Sequence, residues 1–300
     1  MKAFAAFVMR GPTQAGSIAG ASLLAGLVVP PFAWFSGAVV ALVLLRLGAA
    51  ALARMALPAL ALVLVVGTVV WQQPSAVAVA SVGAWLPVVV VAGVLRARAR
   101  LDDALLVACV LGFLAVVAIH GLLADPAATW REVLLQVFPP EQLAANAGIE
   151  ASAAAEVIDR MAPLMTGLVA ASAVFSAITG VLLARWWQSL LDHEGAFARE
   201  FQSLRLGRVA ALVAGAVCLA AALMQSATLL GLALVTITLY LIQGLAVVHG
   251  VVSARGMTRG WLIGLYVLGI LLTPQVVVGL ALVGVADAWG DFRRIAAGEA

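Results

Sequence analysis

Charged side chains are missing from long stretches of this 300-residue sequence. Lys, Arg, Asp and Glu together make up 10% of the residues, whereas hydrophobic residues make up 65%. The runs without any of the four charged types are residues 11–45, 55–95, 104–124, 161–184, 209–254 and 260–286. A soluble domain is about 25% charged, and a charge at the centre of a bilayer costs about 2.5–3.5 kcal/mol. The sequence therefore excludes an ordinary soluble protein and predicts an integral membrane protein.

Cysteine and the common catalytic motifs are equally scarce. Cys109 and Cys218 both lie inside apolar runs, which favours packed core residues over a disulfide or a metal pair. The sequence contains no zinc-protease His-Glu-x-x-His, no phosphate-binding Gly-Lys-Ser/Thr loop and no Gly-x-Ser-x-Gly elbow. Its three histidines are scattered along the chain. We therefore predict no enzymatic activity, no catalytic residue, no cofactor and no metal.

The lengths of the apolar runs predict an all-α fold, a polytopic integral membrane helical bundle with eight to ten transmembrane helices. A helix needs about 20 residues to cross the hydrocarbon core. Residues 55–95 are too long for one crossing and break at Pro74, because proline lacks a backbone donor and pushes its predecessor out of helical geometry. Residues 209–254 break likewise near Gln225. The chain, residues 1–300, is expected to form a single transmembrane domain.

The first and last apolar runs are ambiguous in length. Residues 15–45 and 260–289 each fit one long helix, or two short helices that are separated at Pro30-Pro31 and at Thr273-Pro274. Only two short hairpins keep the basic residues that flank both runs on one side of the membrane. Those residues are Arg10, Arg46, Arg259, Arg293 and Arg294. We therefore predict short hairpins at both ends, and leave open whether their pieces cross or re-enter.

Basic residues also predict the orientation. With both hairpins crossing, all but two of the 17 Lys and Arg residues fall on one side, and the exceptions are Arg131 and Arg160. Because cytoplasmic loops carry an excess of Lys and Arg, this side and both termini are predicted to be cytoplasmic. Tryptophans favour membrane interfaces, and we place Trp34, Trp71 and Trp130 at the outer boundary and Trp186, Trp187, Trp261 and Trp289 at the inner one. The net charge of +3 thus reflects topology and indicates no nucleic-acid partner.

Residues 125–160 form the predicted outer, periplasmic loop. Trp130, Val133, Leu134 and Val137 recur at helical spacing, which predicts an amphipathic helix on the membrane surface that ends at Pro139-Pro140. A second helix is expected around 151–160. Two interpretations stay open, a lid over an outward-facing cavity and a plain surface loop.

Residues 185–208 form the predicted cytoplasmic arm. Phe197, Phe201 and Leu204 share one helical face, and Gly195 and Gly207 mark the ends of the helix. An interfacial helix docked under the bundle and a partner-binding surface are the two interpretations of this arm.

Several motifs in the arm and near the C-terminus resemble those of a known family. They are Leu183-Ala184-Arg185-Trp186-Trp187-Gln188, Phe197-x-x-Glu200-Phe201-x-x-Leu204-Arg205-Leu206-Gly207, Gln243-Gly244-Leu245-Ala246-Val247-Val248-His249, and Gly284-Val285-Ala286-Asp287-Ala288-Trp289-Gly290-Asp291-Phe292-Arg293-Arg294. With them the chain resembles the YybS-like family of predicted bacterial membrane proteins, a domain of unknown function. The family is distantly similar to the S components of energy-coupling-factor vitamin transporters. The resemblance covers nearly the whole chain and implies a location in the bacterial cell inner membrane, but names no substrate.

Polar groups inside apolar segments are the candidate ligand residues, because such groups are costly in a bilayer. Gln243 lies deep in a span, with His249 six residues further on; Trp85 and His120 complete the set. The alternative for Gln243 is a hydrogen bond to a neighbouring helix, and the alternative for Trp85 is core packing.

Candidate partner or interface residues come from three places. Gly16-x-x-x-Gly20 gives the first helix a small-residue stripe that permits close helix approach. The arm supplies Arg185, Trp186, Trp187, Phe197, Glu200, Phe201 and Arg205, and the C-terminal segment supplies Asp287, Trp289, Asp291 and Arg293. Asp287 is expected to pair with Arg293 or Arg294, or else with Arg205.

Two functions follow from these observations. The first is a small-ligand-binding membrane subunit that resembles a transporter S component, with its cavity in the outer half under residues 125–160. It needs a separate energising transporter module, because the chain has no nucleotide-binding motif. The second is a structural or scaffolding membrane protein that acts through the arm and the C-terminal tail. Membrane lipids are partners in either case.

Overall fold

A computed structural model of the protein describes residues 1–70, 72–258 and 260–298. Every regular element in these residues is helical, which confirms the predicted all-α fold. Trp71, predicted at the outer membrane boundary, and Arg259, a basic residue that flanks the last apolar run, lie outside the described residues.

Helices follow one another with short connections throughout the described chain. Before the predicted outer loop they are α1 (Lys2–Val8), α2 (Pro12–Gly26), α3 (Pro31–Leu47), α4 (Ala49–Val69), α5 (Pro74–Arg98) and α6 (Leu101–Leu122). The loop itself contains α7 (Pro126–Val137), α8 (Pro140–Ala147), α9 (Ala151–Met161) and a short 3-10 turn (Ala162–Leu164). After it come α10 (Met165–Asp192), α11 (Ala196–Gln202), α12 (Arg208–Met224), α13 (Ala227–Ala254), α14 (Gly260–Leu271), α15 (Thr273–Gly290) and α16 (Phe292–Ala296).

The predicted helix breaks are confirmed. Pro31 and Pro74 each open a helix, where their missing backbone donor is harmless, and Pro274 is the second residue of α15. Gln225 separates α12 from α13. Each terminal apolar run is thus two helices and not one.

Within the described residues, six helical stretches are long and apolar enough to cross a bilayer. They are Ala49–Val69, Pro74–Arg98, Leu101–Leu122, Ala151–Asp192, Ala227–Ala254 and Thr273–Gly290. Pro31–Leu47, Arg208–Met224 and Gly260–Leu271 are apolar but shorter. The last of these has 12 residues. At 1.5 Å per residue it is about 18 Å long, less than the roughly 30 Å of hydrocarbon. A count of eight to ten crossings stays a prediction.

Both chain ends lie with the arm at one end of the bundle, which we call the arm end. Lys2 Nζ donates to Glu194 at 2.9 Å, Arg46 donates to Asp192 at 2.8 Å, and Arg205 pairs with Asp291. Residues 125–160 lie at the opposite end, because the 28 residues of α10 separate them from the arm. A helix of that length spans about 42 Å.

The core runs along α3, α10 and α13. All residues of α3 from Ser36 to Leu44 are buried, and α10 packs against α3, α6 and α13. Leu42, Ile178 and Tyr240 are among the largest fully buried side chains. These helices form the frame on which both ends of the bundle are built.

The loop 125–160 is helical and docked. The predicted amphipathic helix is confirmed as α7, and the second predicted helix as α9; the sequence did not indicate α8. Trp130 Nε1 donates to Thr166 Oγ1 at 2.8 Å, and Leu134 packs against Ile158 and Ala162. Val133 and Val137, predicted on the same apolar face, are exposed. The region beneath α7 therefore holds a small apolar cluster.

Candidate functional site

The arm leaves α10 at Asp192 and folds back beneath the bundle. Gly195 and Gly207 have φ values of +85° and +86°, which glycine adopts without a Cβ clash. Between them lies α11, which confirms the predicted arm helix and Gly195 as its start; the helix ends at Gln202, however, and Gly207 instead precedes α12. Phe197 and Phe201 stack with ring centroids 5.8 Å apart, and Leu204 is buried.

A charged fork holds α11 against α10. Arg185 donates through Nε and Nη2 to the two carboxylate oxygens of Glu200, each at 3.0 Å. Its Nη1 donates to Gln188 Oε1 at 2.9 Å. Two-point pairing fixes orientation as well as distance. Arg185 and Glu200 therefore position the aromatic face of the arm.

That aromatic face forms one wall of a cleft of about 490 Å³, which we call the aromatic cleft. Its other walls come from α10, α13 and α14. The structure brings together here three predicted interface residues of the arm and one predicted ligand residue. They are Trp186, Phe197, Phe201 and His249. The lining also includes Phe175, Thr179, Leu182, Gln202, Leu245 and Tyr266.

His249 is the central polar group of this cleft. Its ring lies edge-on to Phe201, with centroids 5.7 Å apart, and contacts Tyr266 at 6.0 Å on the other side. Nδ1 lies 2.8 Å from the Leu245 carbonyl oxygen, and Nε2 lies 3.3 Å from the Tyr266 hydroxyl. A hydrogen on Nδ1 satisfies both contacts, since it donates to the carbonyl and leaves Nε2 to accept from the hydroxyl. His249 thus links α13 to α14.

Gln243 lies outside the cleft, in the buried contact between α13, α15 and the arm. Its Nε2 donates to the Gly284 carbonyl at 2.7 Å, and its Oε1 accepts from the Leu206 backbone N–H at 3.0 Å. Both ends of the amide are occupied within the chain. The geometry therefore agrees with the alternative interpretation of Gln243, a hydrogen bond to a neighbouring helix. A second hydrogen bond connects it to the arm.

One ion pair and two hydrogen bonds join the C-terminal segment to the arm, a second ion pair lies within the segment, and we call Arg205, Asp287, Asp291 and Arg293 the tail latch. Arg293 donates to Asp287 at 2.5 Å and, through Nη1, to the carbonyls of Gln202 and Leu204 at 2.8 Å each. Arg205 pairs with Asp291 through both carboxylate oxygens. The hydrogen bond from Arg205 lowers the pKa of Asp291 below its ordinary value. The partner of Asp287 is thus Arg293.

Other candidate residues lie elsewhere in the bundle. Trp85 is buried, and its Nε1 donates to Ser36 Oγ at 2.9 Å; Ser36 in turn donates to the Ala19 carbonyl at 2.8 Å. The pair joins α5, α3 and α2, which matches core packing. His120 lies near the end of α6 far from the arm, with Nδ1 2.9 Å from the Val116 carbonyl. Neither residue lines the aromatic cleft.

The proposed interface residues divide between interior and surface. Gly16 and Gly20 are buried against α4, where a Cβ on Gly16 would come within 2.7 Å of the Met55 carbonyl oxygen. This stripe is therefore covered within the chain, and a partner could not reach it without displacing α4. Trp187 is also buried, with Phe4 at 5.2 Å, whereas Trp289 is exposed.

Two residues that contact the predicted site residues could not be identified from the sequence. Tyr266 belongs to an apolar run in which nothing marks it as a partner of His249. Leu206 contributes only its backbone N–H to Gln243. Among the described residues, no three His, Cys, Asp or Glu side chains form a group that could hold a metal ion.

The fold and these contacts define a class, a helical membrane protein with a docked arm and a cleft at the arm end. Comparison with known proteins adds no family, since no family model, no curated protein and no solved structure matches the chain. The resemblance to the YybS-like family stays a prediction.

Proposed function

We propose that the protein binds a small, largely apolar ligand in the aromatic cleft and acts as a ligand-binding subunit of the membrane. One observation carries this proposal: residues from three helices, chosen from sequence as arm residues or as a ligand residue, converge on one cleft. Clefts lined by aromatic side chains with a few placed polar groups are the usual form of small-molecule sites. Here the polar groups include His249, Tyr266 and Gln202.

The position of α14 supports entry of the ligand from the side, out of the lipid. No residue of α14 is buried, and Tyr266 is 51% exposed. A second cleft of about 560 Å³, lined by Val248, Trp261 and Leu265 among others, separates α14 from α13 elsewhere along the helix. A helix held so loosely can move aside at small cost, because few packed contacts must be broken.

The orientation and the transport role belong to the same proposal. The arm end carries most of the basic residues, which supports a cytoplasmic arm and cytoplasmic termini. In a bacterial cell inner membrane, such a subunit would deliver its ligand together with an energising module on a separate chain, as the S-component resemblance implies. The rival scaffolding function has less support, because the charged groups of the arm and tail are largely occupied by one another.

The test is a substitution that fills the cleft. Thr179, half-buried in α10, lines the cleft, and Thr179→Trp should fill it. Thr68→Trp is the matched control, because Thr68 is exposed on α4 outside the cleft. Native mass spectrometry of the purified proteins would measure co-purified small molecules. We expect the wild type and Thr68→Trp to retain the same bound mass, and Thr179→Trp to lose it.

Two results would contradict the proposal. One is a wild-type protein that carries no bound molecule under conditions that preserve lipid contacts. The other is a bound molecule that Thr179→Trp retains in full while its elution profile matches the wild type. Capture of a protein partner by crosslinks from Phe201 or Arg205, with no bound ligand, would favour the scaffolding function.

A further inference from the structure

A second, basic cleft adjoins the aromatic cleft at the arm end. Its volume is about 400 Å³, and it lies where the end of α13 meets the arm and the tail. Gln202 lines both clefts, and Gly250 of the basic cleft follows His249 of the aromatic one. The two clefts therefore meet at the end of α11.

Arginine dominates the lining of this basic cleft. Arg199, Arg205, Arg293 and Arg294 all line it, together with the hydroxyl residues Ser203 and Ser253. Asp291 and Asp287 neutralise Arg205 and Arg293. Arg199 and Arg294 are exposed and take part in none of the ion pairs between described residues. The cleft therefore keeps a positive charge after its internal pairs are formed.

Arg293 is the buried member of this set. Its side chain is only 9% exposed, and both terminal nitrogens donate within the chain. Its Nε is buried and has no acceptor among the described residues, so this donor does not face the cleft. The exposed Arg199 and Arg294 are therefore the residues that can pair with an anionic group in the cleft.

We propose that the two clefts together bind an anionic amphiphile, with a phosphate-type head in the basic cleft and a hydrocarbon chain in the aromatic cleft. This inference rests on the proposed function, because the chain would occupy the same aromatic site. Arginine pairs well with phosphate oxygens, since its planar fork presents several donors at once. A lipid phosphate and a free phosphate ion share that chemistry; the adjoining apolar cleft favours the lipid.

The experiment compares lipids that differ only in the head. Native mass spectrometry of the full chain in detergent would measure binding of phosphatidylglycerol and of phosphatidylcholine with the same acyl chains. Inorganic phosphate would be added in a separate arm as the free anion. We expect the wild type to prefer phosphatidylglycerol about tenfold, because its head is a net anion, whereas the choline cation of phosphatidylcholine cancels the charge of its phosphate. We expect phosphate alone to compete weakly.

Variants that remove charge test whether the basic cleft causes the preference for phosphatidylglycerol. Arg199→Gln/Arg294→Gln removes the two exposed arginines of the cleft and should abolish the preference while phosphatidylcholine binding is unchanged. Arg10→Gln/Arg54→Gln is the matched control, since it removes the same charge from a different cleft near α1, α2 and α4. We expect this control to retain the preference.

Each outcome separates the two proposals. Equal loss of preference in both double variants, or none in either, would overturn the basic cleft as the head site. Binding of inorganic phosphate without binding of either lipid would assign the basic cleft to a free anion. That result would overturn the proposal that the site binds an amphiphile. If Thr179→Trp binds both lipids as the wild type does, the proposed function itself fails. If Thr179→Trp loses both lipids but the wild type shows no preference, only the present inference fails.

Discussion

The two terminal hairpins look alike in the sequence but differ in how they pack. The hairpin of α2 and α3 is part of the core, with Ser36 to Leu44 buried and α2 pressed against α4. The hairpin of α14 and α15 is split. Its second helix is bound to α13 and the tail latch, whereas α14 has no buried residue. Two short helices joined at a proline thus give a rigid unit in one case and a rigid helix with a loose neighbour in the other.

The difference shows that burial, and not length or hydropathy, separates a structural helix from one that can move. In a bilayer, apolar side chains gain little by leaving lipid for protein, so close packing and internal hydrogen bonds hold helices together. Buried Gly16 and Gly20 supply close packing to α2. In the described contacts, α14 is held mainly by the hydrogen bond between Tyr266 and His249. A loose helix beside the aromatic cleft is what lateral ligand entry requires.

The largest expected effect comes from breaking the bond that fixes α15. Asp287→Ala leaves the buried Arg293 without its carboxylate, and an unpaired buried charge costs about 3–5 kcal/mol. We expect a corresponding fall in the free energy of unfolding, measured by thermal or denaturant unfolding in detergent. Asp291→Ala, which removes the more exposed acid of the latch, should cost far less. Adding Arg293→Met to Asp287→Ala should restore part of the loss; equal costs for the two aspartates would contradict this account of the latch.

A matched pair of glycine substitutions compares the hairpins directly. Gly16→Ala places a methyl group 2.6 Å from Pro58 and should cost about 1–3 kcal/mol of unfolding free energy through overpacking. Gly264→Ala in α14 meets nothing within 4 Å and should cost nothing measurable. The measurement is the same unfolding experiment in detergent. A destabilised Gly264→Ala with an unaffected Gly16→Ala would reverse the comparison.

Hydrogen exchange tests the same contrast without a substitution. Local opening governs exchange, and it needs less free energy where few buried contacts hold a helix. We expect backbone amides of α14 to exchange at least about tenfold faster than those of α3 in the wild-type protein, as read by mass spectrometry. Tyr266→Phe, which removes the hydroxyl bond to His249, should widen the gap. Equal protection of the two helices would show that α14 is held by contacts other than those described.

The smallest expected effect is a pH dependence in the tail latch. The folded-state pKa of Asp291 is lowered by Arg205, so the stabilisation is present above the unfolded pKa and is lost as the pH falls through the folded value. Arg205 is half exposed, and solvent screening limits the contribution to about 0–1 kcal/mol. Asp291→Asn should therefore be slightly less stable than the wild type at neutral pH and equal to it once the pH lies below the folded-state pKa of Asp291. A difference that persists in acid would not come from this carboxylate.

Much of the fold could be predicted because the signals are local. Pro31, Pro74 and Gln225 separate helices where expected, and Gly195 precedes the arm helix, although that helix ends at Gln202 and not at Gly207. The site could be predicted only in pieces. Trp186, Phe201 and His249 were each selected, but nothing in their spacing showed that three helices would bring them to one cleft. Gln243, which we predicted to bind a ligand, instead forms hydrogen bonds to Leu206 and Gly284 through its side-chain amide.

The sequence by itself determined the class of the protein, its helix breaks and the arm as a distinct segment. These depend on local properties: the cost of charge in lipid, the missing donor of proline and the freedom of glycine. Only the tertiary structure decided that Asp287 pairs with Arg293, that the Gly16 stripe is internal, and that α14 stands apart beside the cleft. Those outcomes depend on which helices meet in space, and apolar segments of similar composition do not encode their neighbours in any local pattern.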